Sequence, residues 1–435
     1  MPSAPVVPAI EPRLRHARAA VSIVFFLNAV LYANLVPRLP EVKDHLNLSN
    51  AQLGSGIAAM PVGALLAGLL APAFIQRLGS AKVAALGLAV LAVAVLGVPL
   101  SGTWLVFALV MLVVGGLDAV VDVAQNAHGF RVQRAYGRSI VNAFHGLWSI
   151  GAVVGGLLGA AAAGLAVPLT LHLALSAAVF SVVALVAYRF MLPGPEDAER
   201  VATTDGADGG PAGGSTTRVR SIAARALLPL GALGALAACG AFVEDAGSSW
   251  GALYLRGELE AGPATAGLAF VALQVAMTAG RLTGDRVVDR FGQRRVARSG
   301  GAAIAFGMGL ALAVPSVGTT LVGFALAGLG VATLIPAVMH TADELPGLPH
   351  GVGLTIVSWL LRVGFLISPA AVGLVADATS LRVALLSVVL AGVGILVLGR
   401  VLVGSAAGVG PDTEGTSKPA SAAGSAAAAP AAEHH

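Results

Sequence analysis

Four carboxylates lie inside long apolar stretches of the chain: Asp118, Asp122, Glu244 and Asp245. An ionised side chain at the centre of a bilayer costs at least ~2.5–3.5 kcal/mol on insertion scales. Acids are retained there when they face a cavity, pair with a cation or carry a proton. These residue types therefore indicate ligand binding and proton transfer, and no nucleophile–base pair that would indicate covalent catalysis accompanies them.

Two of these acids are spaced for joint action. Asp118 and Asp122 are four residues apart, so both point from the same face of a helix. Counted from Thr103 at ~1.5 Å per residue, Asp122 falls in the last third of its apolar segment. Glu244 falls in the later half of another segment. For Asp118 and Asp245 the residues alone favour a plainer explanation, namely that one caps a bend or reaches the membrane interface.

Arg362 is the cation that lies near the middle of an apolar segment, in the sequence SWLLRVGFLISP. A long side chain can reach the interface from near a helix end, but hardly from its centre. Two uses remain for Arg362: a structural pair with a buried acid, or a planar fork that binds an anionic group of a substrate. We favour the structural pair, because one cation among four acids would be neutralised first.

The amino-acid composition indicates that these residues belong to a protein surrounded largely by lipid. Of the 435 residues 57% are hydrophobic and 11% are charged, whereas soluble proteins carry roughly 25% charged residues. With a mean hydropathy of +0.86, lipid must cover much of the surface. This excludes a soluble enzyme, a nucleic-acid binder and a disordered regulator. The sequence has no P-loop, dinucleotide fingerprint or zinc motif, and its single cysteine, Cys239, allows no intrachain disulfide.

Apolar segments long enough to cross a bilayer recur through the chain and predict twelve membrane-spanning helices. They are 19–38, 51–75, 82–100, 103–127, 140–165, 168–191, 224–255, 263–288, 296–314, 318–340, 351–376 and 381–403. The polar, Gly-rich stretch around 193–220 divides them into six and six. We therefore expect five parts: a cytoplasmic segment 1–17, a six-helix bundle 18–192, a cytoplasmic linker 193–222, a second bundle 223–403 and a disordered cytoplasmic tail 404–435.

The basic residues predict the orientation of this chain in the membrane. With the N-terminus inside, most of the 26 Lys and Arg residues fall on the cytoplasmic side. The exceptions are Arg38, Lys43, Arg256, Arg382 and the intramembrane Arg362. Cytoplasmic loops carry an excess of Lys and Arg. We therefore expect both termini in the cytoplasm of a bacterial cell, and a multi-pass protein of its inner membrane.

The two halves of the chain resemble each other. SNAQLG at 49–54 corresponds to GPATAG at 262–267, an offset of 213 positions, and at the same offset Arg77-Leu78-Gly79 corresponds to Arg290-Phe291-Gly292. A duplicated six-helix unit is a standard architecture of secondary transporters, with the substrate bound near the membrane midplane between the repeats. The repeat therefore predicts a substrate site between the two halves.

The stretch DRVVDRFGQRR at 285–295 resembles the signature G-x-x-x-D-R-x-G-R-R of the major facilitator superfamily. The leading glycine of the family is Asp285 here, and in the first half Gln76 stands where the acid belongs. The resemblance implies an all-α membrane protein with twelve transmembrane helices in two six-helix pseudo-repeats. It also implies that the matching residues form a conformational latch between helix ends: Asp289, Arg290, Gly292, Arg294 and Arg295.

Within the superfamily the chain is most similar to the fucose-permease-like branch and its bacterial relatives of unassigned substrate. Asp122 precedes Asn126 by four residues, as in helix 4 of that branch, and Glu244 precedes Ser249 and Trp250 as in its helix 7. The resemblance leads us to assign proton coupling to Asp122 or Glu244. Helices 1, 4, 7 and 10 line the cavity in this superfamily. The expected substrate-binding residues are Asn28, Tyr32, Asn34, Asp118, Gln125, Asn126, Trp250, Trp359 and Arg362.

These features predict a secondary transporter that moves a small polar solute, sugar-like or another small organic molecule, by alternating access and with proton coupling. The alternative is a proton-driven exporter of drugs or metabolites, since the direction of transport is not encoded in these residues. A transport-inactive sensor would require a long folded appendage, which the low-complexity linker and tail do not provide. We expect a monomer in the lipid bilayer, whose partners are substrate and protons, with no cofactor, metal, nucleic acid or enzymatic activity.

Overall fold

A computed structural model describes residues 11–194, 216–345 and 352–402, and within the second range it describes side chains from residue 227 onward. The described chain is helical and contains no strand. Twelve of its helices are long and apolar enough to cross a membrane, which confirms the predicted fold class. They are α1 (Pro12–His45), α2 (Asn50–Gly68), α3 (Ser80–Leu100), α4 (Trp104–Tyr136), α5 (Val141–Gly164), α6 (Leu169–Tyr188), α7 (Leu227–Gly257), α8 (Pro263–Phe291), α9 (Gln293–Ala313), α10 (Val317–Asp343), α11 (Val352–Ala378) and α12 (Leu381–Val401).

Several of these spans are interrupted. The span α10 breaks between Val331 and Leu334, just before Pro336, and Pro369 lies inside the continuous helix α11. The break in α10 thus lies beside a proline, whereas α11 accommodates its proline without a break. The other component helices are Pro12–Ala33, Val36–Arg38 (3-10) and Leu39–His45 in α1, Ala71–Leu78 after α2, Ser80–Val95 and Gly97–Leu100 in α3, and Leu381–Ala384, Leu386–Leu398 and Gly399–Val401 (3-10) in α12.

Several helix ends depart from the predicted ends: α1 runs from Pro12 to His45 instead of 19–38, and α2 ends at Gly68 instead of 75. Helix α4 continues to Tyr136, well beyond its apolar segment, because the buried side chains of His128 and Arg131 pack between α3 and α6. Helix α7 is preceded by helix from Thr216 onward, so the described end of the predicted linker 193–222 is helical. Residues 195–215 of that linker, the segment 1–10 and the whole tail 404–435 lie outside the described residues.

The duplication extends from the sequence to the backbone. Helices α2 and α8 begin at Asn50 and Pro263, 213 positions apart, and α4 and α10 begin at Trp104 and Val317, also 213 apart. Gly79 and Gly292 occupy equivalent turns with φ of 86° and 82°. Only glycine adopts such a φ without strain, so the repeated glycine is required by the repeated turn.

Helices α2 and α11 bring the two halves together at one end of the bundle. A Cβ on Gly54 of α2 would overlap the carbonyl group of Pro369 in α11, and a Cβ on Gly373 would overlap the carbonyl group of Asn50. Backbones approach this closely only where side chains are missing. We call this end, where α2 and α8 begin and α5 and α11 finish, the closed end, and the opposite end the open end.

Helices α5 and α8 join the halves in a similar manner. Gly267 of α8 packs against Ala160, and Gly164 of α5 packs against Ala264. The GxxxGxxxG stripe of α5 serves another neighbour, because Cβ atoms on Gly151, Gly155 and Gly159 would meet the main chain of α1. The stripe is therefore a packing face, as its spacing predicts.

Polar contacts add to the closed end. The main-chain N–H groups of Asn50 and Ala51, in the first turn of α2, each donate to the Asp377 carboxylate of α11 at 2.8 Å. Arg256 at the end of α7 forms an ion pair with Asp44 of α1 at 3.0 Å. Both contacts cross from the first six helices to the last six. Towards the open end, side chains of α2 and α11 instead line a space between them.

Candidate functional site

A cavity of about 370 Å³ lies between the two halves, on the open-end side of the α2–α11 contact. Its walls come from α1, α2, α4, α5, α7, α8 and α11. The family resemblance implied a contribution from helix 10, but no described residue of α10 lines the cavity, because α5, α8, α2 and α11 meet across the halves and form its sides. The polar lining residues are Asn28, Tyr32, Asp118, Trp148, Glu244, Asp245, Ser248, Ser249, Gln274 and Arg362.

Asn28 of α1 organises the first-half wall. Its Nδ2 donates to Asp118 Oδ1 at 2.8 Å, which ties α1 to α4. Its Oδ1 accepts from Trp148 Nε1 of α5 at 3.0 Å and from Gln125 Nε2 at 3.5 Å. One buried amide thus fixes the orientation of an acid, an indole and a second amide on the neighbouring helices.

Asp122 lies one turn beyond Asp118 on α4, and its surroundings differ. Asp122 is exposed and does not line the enclosed cavity. Its Oδ1 accepts from Gln125 Nε2 and from Asn126 Nδ2, each at 3.1 Å. No cation of the described chain lies within ion-pair distance of it. Asp122, Gln125 and Asn126 therefore form one small hydrogen-bonded group on the open-end side of Asp118.

Glu244 of α7 is held by a cation that the sequence did not single out. Its Oε1 lies 3.5 Å from Arg281 of α8, and the two side chains are 15% and 32% exposed. Arg281 and Asp122 both interact electrostatically with His145 of α5. We call these three residues, Asp122, His145 and Arg281, the vestibule, because they lie between the cavity and the open end.

Asp245 lies beside Glu244 on the chain but makes different contacts. Ser249 Oγ donates to its Oδ1 at 3.4 Å, and its Oδ2 is buried with no hydrogen-bond partner. Tyr32 of α1 interacts electrostatically with both Asp245 and Asp118. The phenol therefore lies between Asp245 of the second half and Asp118 of the first half. A substrate that spans the cavity would contact the same two acids.

Arg362 of α11 is exposed and lines the cavity, near the middle of its helix. The sequence favours a pair between Arg362 and a buried acid. The described chain does not show this pair, because the ion pair at its cavity joins Glu244 to Arg281. The guanidinium of Arg362 is thus available to a ligand. Its planar set of donors suits a carboxylate, a phosphate or neighbouring hydroxyls.

Three of the predicted substrate-binding residues lie away from the cavity. Asn34 is buried and donates from Nδ2 to Ser176 Oγ of α6 at 3.0 Å. Trp250 is completely buried and packs against Gly54 at the contact between α7 and α2. Trp359 is 51% exposed on α11 and is not among the lining residues. Gln125 and Asn126 do not line the cavity either: Gln125 donates to the lining residue Asn28, and both amides donate to Asp122.

The predicted latch residues lie together at the open end, where α8 turns into α9. Gly292 forms the turn, and its N–H donates to Val288 O at 2.7 Å. Arg294 Nε donates to Leu402 O at 2.9 Å, and the guanidinium of Arg290 lies over the ring of Phe291. Asp289 and Arg295 are exposed. Within the described residues Asp289 forms no ion pair, so in this conformation the acid of the latch does not join helix ends.

Sequence reasoning missed two charged residues of the site. Arg281 was counted among the basic residues at the end of α8, although it precedes Asp285 by a full turn and directly follows an uncharged stretch, 263–280. That position was the available signal. Asp245 was given a structural explanation, because its neighbour Glu244 matched a family motif and Asp245 did not.

Sequence comparison identifies the class of protein. The profile of the Major Facilitator Superfamily matches residues 21–254 and 233–432 of this chain. The chain therefore belongs to the major facilitator superfamily and is a membrane-embedded secondary transporter. This confirms the resemblance stated on the motif at 285–295.

Two bacterial relatives match most of the chain. One is an uncharacterized MFS-type transporter of Yersinia pestis, 28% identical over 379 residues, which cover 86% of this chain and 93% of the relative. The other is the membrane protein MosC of Rhizobium meliloti, 29% identical over 379 residues, which cover 86% of this chain and 87% of MosC.

Solved structures share the fold. A bacterial homolog of the human lysosomal transporter Spinster, inward-facing and occupied, gives a TM-score of 0.69 at 16% identity, covering 90% of this chain and 97% of the homolog. The nucleoside transporter NupG gives 0.66 at 15% identity, covering 88% and 97%. FucP in the outward conformation gives 0.56 at 16% identity, with the same coverage as NupG.

Proposed function

We propose that this transporter moves a small polar solute through the cavity between its halves, by alternating access and with proton coupling. The observation that carries the proposal is the composition of the cavity walls, to which the first half contributes Asp118 and the second half contributes Glu244 and Asp245. Acids on both halves would be separated and rejoined when the halves rock. Proton binding and solute binding at such a site are therefore coupled to the conformational change.

The distribution of charge supports an orientation in the membrane. Among the described residues the open end carries most of the Lys and Arg side chains, and cytoplasmic faces of membrane proteins are enriched in them. We propose that the open end faces the cytoplasm and that this conformation is open to the inside. Cysteines introduced by Ser215→Cys and Ser405→Cys in a Cys239→Ala background should resist external labelling. Rapid labelling of either from outside would contradict this topology.

The cavity indicates the class of solute. Its volume of about 370 Å³ lies at the lower end of the range of small-molecule pockets, ~300–1,000 Å³. The amide, hydroxyl and indole groups of Asn28, Ser248, Trp148 and Gln274 suit a hydroxyl-rich or amide-bearing molecule. Among proteins of the same fold, NupG is a nucleoside transporter and FucP is a fucose:proton symporter. We propose a neutral or cationic polar solute of similar size for this chain.

The proton carrier is proposed to be the acidic pair of α4 rather than Glu244. The sequence leaves Asp122 and Glu244 as candidates, and an acid held against an arginine stays ionised. Glu244 is held by Arg281, whereas Asp122 accepts only from amides and interacts electrostatically with Asp118 one turn away. With no cation in contact, an acid of this pair can take up a proton in one conformation and release it in the other. Glu244 then serves to hold α7 against α8.

Export of an amphiphilic metabolite is the second candidate function. It is favoured by the apolar part of the lining, where Ile57, Met60, Phe270 and Phe365 face the same space as the acids. A proton-driven exporter would use the same acidic pair in exchange for its substrate. Transport assays in both directions distinguish the two functions.

Purified protein in proteoliposomes, with a panel of labelled solutes, provides the test. Asp122→Asn should abolish accumulation driven by a pH gradient and retain counterflow exchange, which requires no net proton movement. Glu244→Gln should lower both activities together, because it leaves Arg281 unpaired. If both variants retain full pH-dependent accumulation, the protein is not coupled to protons in this way, and a uniport or sodium-coupled mechanism replaces the proposal.

A further inference from the structure

A second cavity, of about 770 Å³, lies at the open end of the first six helices and is separate from the transport site. It is bounded by the start of α1, the start of α3 and the end of α6. Four cationic side chains line it, Arg13, Lys82, Arg131 and Arg189, together with His16. No carboxylate occurs among the described residues of its lining. The cavity therefore concentrates positive charge in a concave space.

Three of the four cations keep their donors available. Arg13, Lys82 and Arg189 are exposed, and within the described residues their side chains form no hydrogen bond or ion pair. Arg131 is different: it is 1% exposed and donates to the main-chain oxygens of Pro193 and Gly194 at 2.7 and 3.3 Å. Arg131 thus fixes the wall, and the other three can bind a ligand.

The backbone of α3 adds donors to the same space. The helix begins at Ser80 after Gly79, and it has no side-chain cap and no acidic residue in its first turn. Gly79, Ala81 and Lys82 line the cavity. The free N–H groups and the dipole of a helix N-terminus favour an anion. Here the helix start and the three cationic side chains are directed at one volume.

A buried hydrogen-bond network holds two walls of this cavity in fixed positions relative to each other. Nε2 of His128 on α4 accepts from the Leu192 N–H at 3.2 Å, and its Nδ1 lies 2.8 Å from Ser80 Oγ. The imidazole therefore links the start of α3 to the end of α6. The anion-binding groups are mounted on a rigid frame rather than on flexible loops, which reduces the entropy lost when a ligand binds.

The rim of the cavity is apolar and exposed. Phe190 and Leu78 both line the cavity, and they are 49% and 53% exposed. A soluble anion would gain nothing from these side chains, whereas a phospholipid places acyl chains directly beside its phosphate. A basic recess with an apolar rim at the end of transmembrane helices is typical of a lipid headgroup site.

We propose that this recess, defined by Arg13, Lys82, Arg189 and the start of α3, binds the phosphate of an anionic phospholipid. Another cavity at the open end lies in the second half between α9 and α12; it has a volume of about 410 Å³ and is lined by Arg298, Leu396, Val397 and Arg400. There Arg298 Nε and Arg400 Nε donate to main-chain oxygens. Among the described residues this cavity therefore has two cationic side chains, each bonded through Nε, whereas the first-half recess has three that form no hydrogen bond.

The test measures lipid binding to the delipidated full-length protein by native mass spectrometry, with thermal unfolding as a second readout. Dioleoyl-phosphatidylglycerol should bind at least about tenfold more tightly than dioleoyl-phosphatidylcholine and should raise the unfolding midpoint. Lys82→Gln/Arg189→Gln should weaken phosphatidylglycerol binding by about thirtyfold, the size expected for two basic side chains near a phosphate. Arg298→Gln/Arg400→Gln removes the same charge from the second-half cavity at the open end and should change binding less than about twofold.

The possible outcomes separate the sources of the phosphate. Equal weakening by the two double variants would show general surface attraction and would overturn the proposal, as would equal binding of the two lipids. Stabilisation by inorganic phosphate alone, with displacement of the lipid, would assign the site to a soluble phosphate compound instead. If Lys82→Gln/Arg189→Gln does not fold, Arg13→Gln, at an exposed position, provides the comparison and should weaken phosphatidylglycerol binding by about fivefold.

Discussion

The closed end and the open end of the helix bundle differ in their packing and in their charge. At the closed end, Gly54 and Gly373 bring the backbones of α2 and α11 into direct contact, and Gly164 and Gly267 do the same for α5 and α8. At the open end, exposed arginines and an unpaired Asp289 surround the turn at Gly292. Close backbone packing seals the closed end, whereas charged side chains are concentrated at the open end.

This difference indicates how each end responds to change. The closed end depends on glycines that let two helix backbones approach closely. One added methyl group would push these backbones apart, because packed interiors do not accommodate extra atoms. An end that closes through acid–arginine contacts depends on pairing, which is weaker per contact and sensitive to charge. Steric changes should therefore act most strongly at the closed end and charge changes at the open end.

The largest effect is expected for Gly54→Val. Its Cβ would overlap the Pro369 carbonyl group of α11, and overpacking of this kind costs typically about 1–3 kcal/mol. Because the cost falls on the conformation with a closed end, transport in proteoliposomes should drop by roughly ten- to a hundredfold. Gly257→Val, at the same end with open space around it, should retain transport. Equal loss in both variants would show that the α2–α11 contact is not special.

The next effect is expected for Asp289→Asn, in the latch of the open end. If Asp289 pairs with an arginine only when that end closes, its loss removes a charge-assisted hydrogen bond of about 1.5 kcal/mol and slows transport roughly tenfold. Equilibrium affinity for the solute should stay within a few-fold. Asp285→Asn, one turn earlier on the same helix, serves as the matched control. Complete loss of binding in a folded Asp289→Asn protein would place the residue in the substrate site instead.

A smaller effect is expected for Asp377→Ala at the closed end. The carboxylate accepts from the first-turn N–H groups of Asn50 and Ala51, and the loss of such a cap costs about 1 kcal/mol. Hydrogen exchange in a peptide covering 46–58 should quicken by about fivefold. Glu258→Ala removes an exposed acid from the same end and should leave the exchange unchanged. An unaltered rate in Asp377→Ala would mean that the capping contact does not stabilise the seal.

The smallest effect is expected for Arg256→Gln. Its pair with Asp44 also crosses the halves, but the side chains are 37% and 62% exposed, and such pairs contribute at most about 1 kcal/mol. Transport should change by less than about threefold. A double-mutant cycle with Asp44→Asn measures the coupling directly. A coupling energy between Arg256 and Asp44 as large as the effect of Gly54→Val would refute the distinction between the two ends.

Much of the fold could be predicted, because its determinants are local. Length and apolarity give the twelve spans, and the repeated Arg-x-Gly gives the equivalent turns at Gly79 and Gly292. The stripe of α5 is readable for the same reason, since helical spacing alone places Gly151, Gly155 and Gly159 on one face.

The site was less predictable, because its partners come from distant helices. Arg38 was assigned to an outer loop, but it is buried, bound to Glu41 in a bidentate pair and adjacent to His172 of α6. Arg281 was counted with the basic residues at the end of α8, but it holds Glu244. The Arg38–Glu41 pair is local, three residues apart, and could be read from the spacing. The contacts of Arg38 with His172 and of Arg281 with Glu244 depend instead on which helices become neighbours.

The excess of acids at the site has an electrical consequence. The cavity and the vestibule together hold four carboxylates, Asp118, Asp122, Glu244 and Asp245, against Arg281 and Arg362. With all of them ionised, the unloaded protein carries surplus negative charge within the bilayer. A charge that crosses the full membrane field changes in energy by about 2.3 kcal/mol per 100 mV. A voltage that is negative inside would thus drive the unloaded carrier outward, and protons or a cationic solute would cancel that force on the way back.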